Sequence, residues 1–318
     1  MADAAVYHVC GIRLESAIAL PELTHAAGGR ADCAFSVSRA ATPTDDVEWF
    51  HRWRLNSRRT WARIGRARDR YVLRFSEFGD FVVSASGRRI VAHAARTLPP
   101  ATLRHLLLDQ VLPLALGRMG RMAIHASAVR VPGLGVVAFA GGPGSGKSTL
   151  AAALAAAGCA VLSDDCLVIA VRPGGVWAIP SYAGVRLWPD AASRLGHRGR
   201  LVAHYSDKVR VRAGQLPSGD RPARLRAVFL LSPPSSRVRA VTVSARSPRD
   251  AFIGLTRSAY ILDTEDRAAL TRLFNQLGML SERVPIAALR LPKDGGRLAE
   301  LAGEVRGAAG RLATAVSC

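Results

Sequence analysis

The sequence predicts an α/β protein in which a glycine-rich phosphate loop joins a strand to a helix, preceded by a smaller β-rich N-terminal domain. Three observations predict it. The stretch "GVVAFAGGPGSGKSTLAAALAAAG" runs from an apolar β-pattern through glycines into a helix-forming alanine run. "CAVLSDD" supplies a second short strand directly after that helix, and residues 1–98 hold only short strand-like runs and turns.

Composition bounds the reading. With 318 residues, 49% of them apolar, the chain can fill the core of one large or two ordinary domains. No charged head precedes an apolar run and a small-residue cleavage site, and no apolar segment reaches the ~18 residues of a membrane span. A cytoplasmic protein without membrane association is expected. The five cysteines are odd in number and form no C-x-x-C pair, which argues against a disulfide framework or a zinc site. The formal charge of +20 is spread along the chain rather than gathered in a tail, so nucleic acid is not an expected partner. Of the 44 basic residues only Lys147, Lys208 and Lys293 are lysine. In a chain that writes arginine elsewhere, a lysine marks a place where a compact ammonium serves better than a planar fork. For Lys208, in "HYSDKVRV", the alternative is an ordinary surface residue.

In the N-terminal domain, "YHVCGIRL", "CAFSVSRA" and "RYVLRFSEFGDFVVSASGRRIVAHA" read as strands and turns. "EWFHRWRLNSRRTWARIGRARDR" interleaves Trp49, Trp53 and Trp61 with arginines, a pattern that fits either an acidic-peptide surface or tryptophans facing a sheet with solvated arginines. "RTLPPATLRHLLLDQVLPLALGRMG" places Leu103, Leu107, Val111 and Leu114 at helical spacing, with Pro113 set to kink or end the helix. The domain boundary is drawn at the double proline, giving domains 1–98 and 99–318.

From residue 121 the order is hairpin, loop, helix, strand. "MAIHASAVRV" and "GVVAFAG" are joined by "PGLG", and pairing Val131 with Val136 sets His125 opposite Gly142, beside the glycine loop. A structural histidine is the alternative. Gly158 suits the helix C-terminus, and "CLVIAVRPGGVWAIP" reads as two strands about a Pro-Gly-Gly turn. Further on, "RAVFLLSP" and "RVPIAALRLP" read as strands. "DTEDRAALTRLFNQLGML" and "GRLAELAGEVRGAAGRLA" read as helices, the first capped by Asp263 or Thr264.

The loop carries the chemistry. Gly141, Gly142, Pro143, Gly144, Ser145, Gly146, Lys147 and Ser148, followed by Thr149, fit G-x-x-x-x-G-K-[ST] between a strand and a helix. Backbone N–H groups curl round a β-phosphate, Lys147 reaches the β- and γ-phosphates, and Ser148 ligates Mg²⁺. ATP and Mg²⁺ are therefore the expected cofactors. Asp164 and Asp165 end the strand after the loop helix, at the carboxyl edge of the sheet. Side-chain alternation along a strand gives them different tasks, one toward the metal and one toward an acceptor, or leaves one of them as a cap. No "LSGGQ"-like segment marks an ABC-type ATPase. The β-rich continuation departs from the short, helix-rich small-metabolite kinases, and no "HRD" and "DFG" pair marks a common protein kinase.

"IHASAV…GVVAFAGGPGSGKSTLAAALAAAGCAVLSDDCLVI" resembles the catalytic domain of bacterial HPr serine kinase/phosphorylase over roughly residues 121–170. "GIRLESAIALPEL" and "VPIAALRLPKD" further resemble the HPr-kinase-like proteins of lasso peptide biosynthesis, which phosphorylate a peptide hydroxyl, typically a terminal serine. The resemblance implies Asp165 as general base, His125 as the family's histidine, Lys147 and Ser148 as loop lysine and metal ligand, and Asp164 as a supporting or metal-side carboxylate. The family's metal-binding glutamate in "EIRG" has no counterpart in "YAGVRLWPD", where Arg186 and Asp190 stand. Its late segment for dephosphorylation is also absent, so neither phosphorylase activity nor HPr as substrate is implied. The expected function is an ATP- and Mg²⁺-dependent kinase acting on a serine hydroxyl of a peptide or protein, with a lasso or other ribosomal precursor peptide as partner and a homo-oligomer left open. The alternatives are a small-molecule hydroxyl kinase and a nucleotide-dependent regulatory binding module.

Overall fold

The computed structural model describes residues 4–54, 60–95, 97–182, 184–196, 200–203, 206–212, 219–293 and 298–314. They form two compact units, Met1–Gly120 and Arg121–Cys318. The first is built on a nine-stranded sheet among the described residues, with Thr24–His25 at one edge and Glu48–Arg54 at the other. Its meander Thr60–Arg66, Arg70–Phe75, Gly79–Ser84 and Arg89–Ala94 pairs antiparallel throughout and buries Ile64, Leu73, Phe81 and Ile90. The three tryptophans differ in their surroundings. Trp61 packs edge-on against Phe75 and Phe78, Trp49 lies beneath the guanidinium groups of Arg63 and Arg74, and Trp53 is exposed.

The helical segment runs Pro100–His105, passes through a π-helical turn over Leu106–Val111, and resumes at Leu112–Arg118. Pro113 follows on the π-helical turn, the point where the regular hydrogen-bond ladder is already shifted. Sequence reading grouped this segment with the catalytic domain, but its contacts join it to the first unit. Arg104 pairs with Glu22 at 3.0 Å, Arg118 donates to the Ala85 carbonyl, and Gly87 lies so close that a Cβ would stand 2.3 Å from the Ala115 oxygen.

The second unit is a mixed sheet with helices on both faces. Its order is Met122–Ile124, Leu167–Arg172, Gly175–Ile179, Ala223–Leu231, Gly135–Gly141, Ala126–Val131 and Ala160–Ser163, and Ile286–Arg290 joins Ala223–Leu231 in parallel. Alternation along Gly135–Gly141 sends Val137 and Phe139 to one face, where Lys147–Ala156 and Leu298–Thr314 cover them. Val136, Ala138 and Ala140 face Pro248–Thr256 and Arg267–Arg283 on the other. Each large aliphatic side chain so buried contributes about 1.5–3 kcal/mol.

Local signals mostly hold. Gly158, at φ 90°, closes the loop helix in a Schellman arrangement, with Cys159 N–H bonded to the Leu154 carbonyl and Gly158 N–H to that of Ala155. Two details are corrected. The hairpin before the loop pairs Val131 with Gly135, not Val136, because Leu134 N–H closes a tight turn onto the Val131 carbonyl with Pro132 and Gly133 at its centre. The loop is thus one residue shorter than "PGLG" suggested. The later helix is capped by Asp266, which accepts from Ala269 N–H, while Asp263 accepts from Glu265 N–H just outside it. The described cysteines Cys10, Cys33, Cys159 and Cys166 are buried. Among the described residues, no helix is long and apolar enough to cross a membrane.

Candidate active site

The glycine loop takes the shape its residues allow. Gly144 and Gly146 hold φ of 74° and 91°, the left-handed region open to glycine, and a Cβ on Gly142 or Gly144 would meet nothing within 4 Å. Gly141 is the opposite case, since a Cβ there would stand 2.6 Å from the Leu231 carbonyl oxygen. Lys147 Nζ donates to the Gly141 and Gly142 carbonyls at 2.8 and 3.1 Å, so the ammonium rests on the loop it serves. Burial, together with Lys208 and Arg186 and against the pull of Asp164, lowers Lys147 to about 8. Ser145 Oγ is buried and has no hydrogen-bond partner among the described residues.

Asp164 and Asp165 do diverge, but not by strand alternation. The strand ends at Ser163, and Asp165 turns through the left-handed region at φ 62°, which aspartate tolerates better than most residues. Asp164 faces the loop helix. Its Oδ1 accepts from Ser148 Oγ at 2.9 Å and from Ser127 Oγ at 2.5 Å, and its Oδ2 accepts from Arg186 N–H at 2.8 Å. Asp165 faces the other way, into an ion pair with Arg186, and its Oδ1 lies 3.8 Å from His125 Nε2.

His125 is held beside Asp165 by its backbone as well as its ring. Its N–H donates to the Ser258 carbonyl, and Tyr260 N–H donates to that of Ala123, so residues 258–260 run alongside 123–125. Tyr260 hydroxyl then donates to the Asp165 carbonyl at 3.0 Å. His125 Nδ1 stands 3.1 Å from the same carbonyl and 3.3 Å from the Tyr260 hydroxyl, and Nε2 is the ring nitrogen that faces the Asp165 carboxylate. Burial first, then Lys147, lowers His125 to about 4, with Asp164 opposing.

These groups open onto one cavity of about 380 Å³. His125, Lys147, Ser148, Asp165 and Arg186 line it, and so does most of the loop. One wall is apolar, formed by Pro234, Leu291, Pro292 and Leu301. Of the residues expected at the site, Gly141, Gly142, Ser145 and Asp164 stand behind the lining, and Asp164 reaches it through Ser148. Sequence reading did not find Ser127 or Tyr260, and it left Arg186 and Asp190 unassigned. A lone hydroxyl in the apolar run "IHASAVRV" was the available signal for Ser127. Tyr260 had none, because it arrives from a segment 135 residues beyond His125.

No protein-family model matches the sequence, and no curated protein matches it. Among solved structures the chain is similar to the Hpr(Ser) kinase/phosphatase from Coxiella burnetii, at 12% identity and a TM-score of 0.32, over 61% of this chain and 94% of that one.

Proposed function

We propose that this chain is an ATP- and Mg²⁺-dependent kinase that transfers a γ-phosphoryl group to a serine-type hydroxyl of a peptide or protein, a ribosomally made precursor peptide being the substrate class. One observation carries the reading: a carboxylate, Asp165, opens onto the same cavity as Lys147 and Ser148 and is held there by Arg186 and a neutral histidine. A carboxylate at the phosphate end, beside rather than among the metal-side oxygens, is placed to take the proton of a hydroxyl acceptor.

The residues present fit the expected metal. Ser148 Oγ and Asp164 Oδ1, 2.9 Å apart, are hard oxygen donors side by side, and Mg²⁺ takes one or two such protein groups with phosphate and water completing its shell. Among the described residues no cluster of three or more acidic, histidine or cysteine side chains could replace that arrangement with an all-protein cage. When bound, Mg²⁺ would neutralise phosphate charge. The loop amides and Lys147 would orient the β- and γ-phosphates.

In the transfer step the acceptor oxygen bonds to the γ-phosphorus while the bond from that phosphorus to the β–γ bridging oxygen breaks. ADP leaves with the electron pair of that bond. The hydroxyl proton passes to the Asp165 carboxylate, a role typically contributing about 10²–10⁴-fold. Arg186 pairs with Asp165 and holds it in place, and His125 Nε2 stands 3.8 Å from its Oδ1. The test is intact-mass spectrometry of serine-containing precursor peptides incubated with the enzyme and Mg-ATP. A phosphate-sized gain that maps to a serine supports the reading. ATP consumption triggered only by a small hydroxylated metabolite would move the assignment to a small-molecule kinase.

A further inference from the structure

The three lysines of this arginine-rich chain, Lys147, Lys208 and Lys293, all line the one cavity beside the glycine loop. Lys147 belongs to the loop. Lys208 reaches the cavity from a separate three-stranded sheet. Its strand Ser206–Arg212 pairs antiparallel with Gly184–Leu187, setting Arg186 opposite Arg210 and Leu187 opposite Val209. Alternation sends Val185, Leu187 and Val211 into the core, with Val209 packed against them. The same alternation turns Arg186 and Lys208 to the other face, which is the cavity wall. The Lys208 ammonium stands 5.6 Å from the centre of the Trp188 ring, so an indole supports it from one side.

Its neighbours say what it faces. Lys208 lines the cavity together with Lys147, Ser148 and Asp165, on the sheet face it shares with Arg186. These are the groups at the phosphate end, not the apolar wall. Arg186 is committed to Asp165. A transferring phosphoryl spreads charge over three equatorial oxygens and moves away from the loop as it transfers. A cation on a flexible stem with three donors can follow it where a rigid fork cannot.

Resting on the reading of this cavity as a nucleoside-triphosphate site, we propose that Lys208 contacts the γ-phosphoryl group from the side opposite the loop, so that the transferring group sits between two ammoniums, Lys147 and Lys208.

The test needs no knowledge of the acceptor. Full-length wild type, Lys208→Met and Lys208→Arg are titrated by calorimetry with Mg-ATP and with Mg-ADP. Lys208→Met is expected to weaken ATP by about tenfold or more, the loss of one charge-assisted hydrogen bond, while ADP stays within about threefold. Lys208→Arg recovers part of the ATP affinity because it keeps the charge. The unchanged ADP affinity shows that the variant's site is folded. Equal weakening of both nucleotides, or of neither, overturns the proposal while leaving the triphosphate reading intact. Wild type that binds neither nucleotide overturns both.

Discussion

Asp164 should be the most stabilising acidic side chain of the second unit, and Asp164→Ala tests that. The carboxylate is 3% exposed and accepts three hydrogen bonds, from Ser127 Oγ, Ser148 Oγ and Arg186 N–H. Hydrogen bonds to a charged group are worth about 1.5–3 kcal/mol each, but the sum overstates the loss. The two serine hydroxyls can rotate toward other acceptors, and removing the carboxylate also removes the cost of keeping it out of water. The Arg186 N–H has no such freedom. Leaving a buried donor such as this N–H without a partner costs about 1–3 kcal/mol. For a unit of this size that corresponds to a fall in Tm of roughly 2–12 °C. Differential scanning calorimetry of wild type, Asp164→Ala and Asp164→Asn measures it. The asparagine variant should fall between the other two, since its amide oxygen still accepts while its NH₂ confronts a donor. Asp164→Ala unfolding within about 2 °C of wild type would refute the reasoning, and would mean that desolvation cancels the three bonds.

His125 titrates at about 4 when folded against 6.5 ordinarily, so between those values the unfolded chain binds more protons and stability falls as pH drops through that window. His125→Gln should flatten that part of the urea-denaturation profile, and an unchanged slope counts against a neutral His125 among Lys147, Arg186, Lys208 and the two aspartates. Gly141→Ala should disrupt the loop, because its Cβ would meet the Leu231 carbonyl at 2.6 Å; nucleotide affinity equal to wild type would contradict that packing. Burial pushes the Cys33 thiol up to about 12, so native protein at pH 8 should leave Cys33 unlabelled by a maleimide in peptide mapping, and labelling at the rate of an exposed thiol would be the contrary result.

The parts of this molecule that were legible in the sequence are those fixed by neighbours along the chain. The loop glycines, the closing Gly158 and the two-residue turn at Pro173-Gly174 each answer a local backbone demand, and each is where spacing put it. Asp164 and Asp165 were legible as a pair whose side chains diverge, though the cause is the left-handed turn at Asp165, which residue type alone does not announce. What stayed hidden depends on distant pairing. Arg186 and Lys208 share a face only because Gly184–Leu187 pairs with Ser206–Arg212 in one register, and a slip of one residue would turn one of them to the opposite face. The helix Pro100–His105 and its continuation look equally suited to either unit until Glu22, Ala85 and Gly87 are seen to receive them. Lysine scarcity drew attention to Lys147 and Lys208, because composition makes an exception visible even where topology is unknown.

The central claim is that Asp165 acts as base beside a triphosphate site that does not need it for binding. Asparagine suits this test, since it also accepts the φ of 62° that Asp165 adopts and preserves the turn. The measurement is Mg-ATP affinity and phosphoryl-transfer rate on the same preparations of wild type and Asp165→Asn. The account predicts affinity within about threefold of wild type and transfer slower by about 10²–10⁴-fold. Transfer at the wild-type rate with affinity retained would contradict it and remove Asp165 from the chemistry.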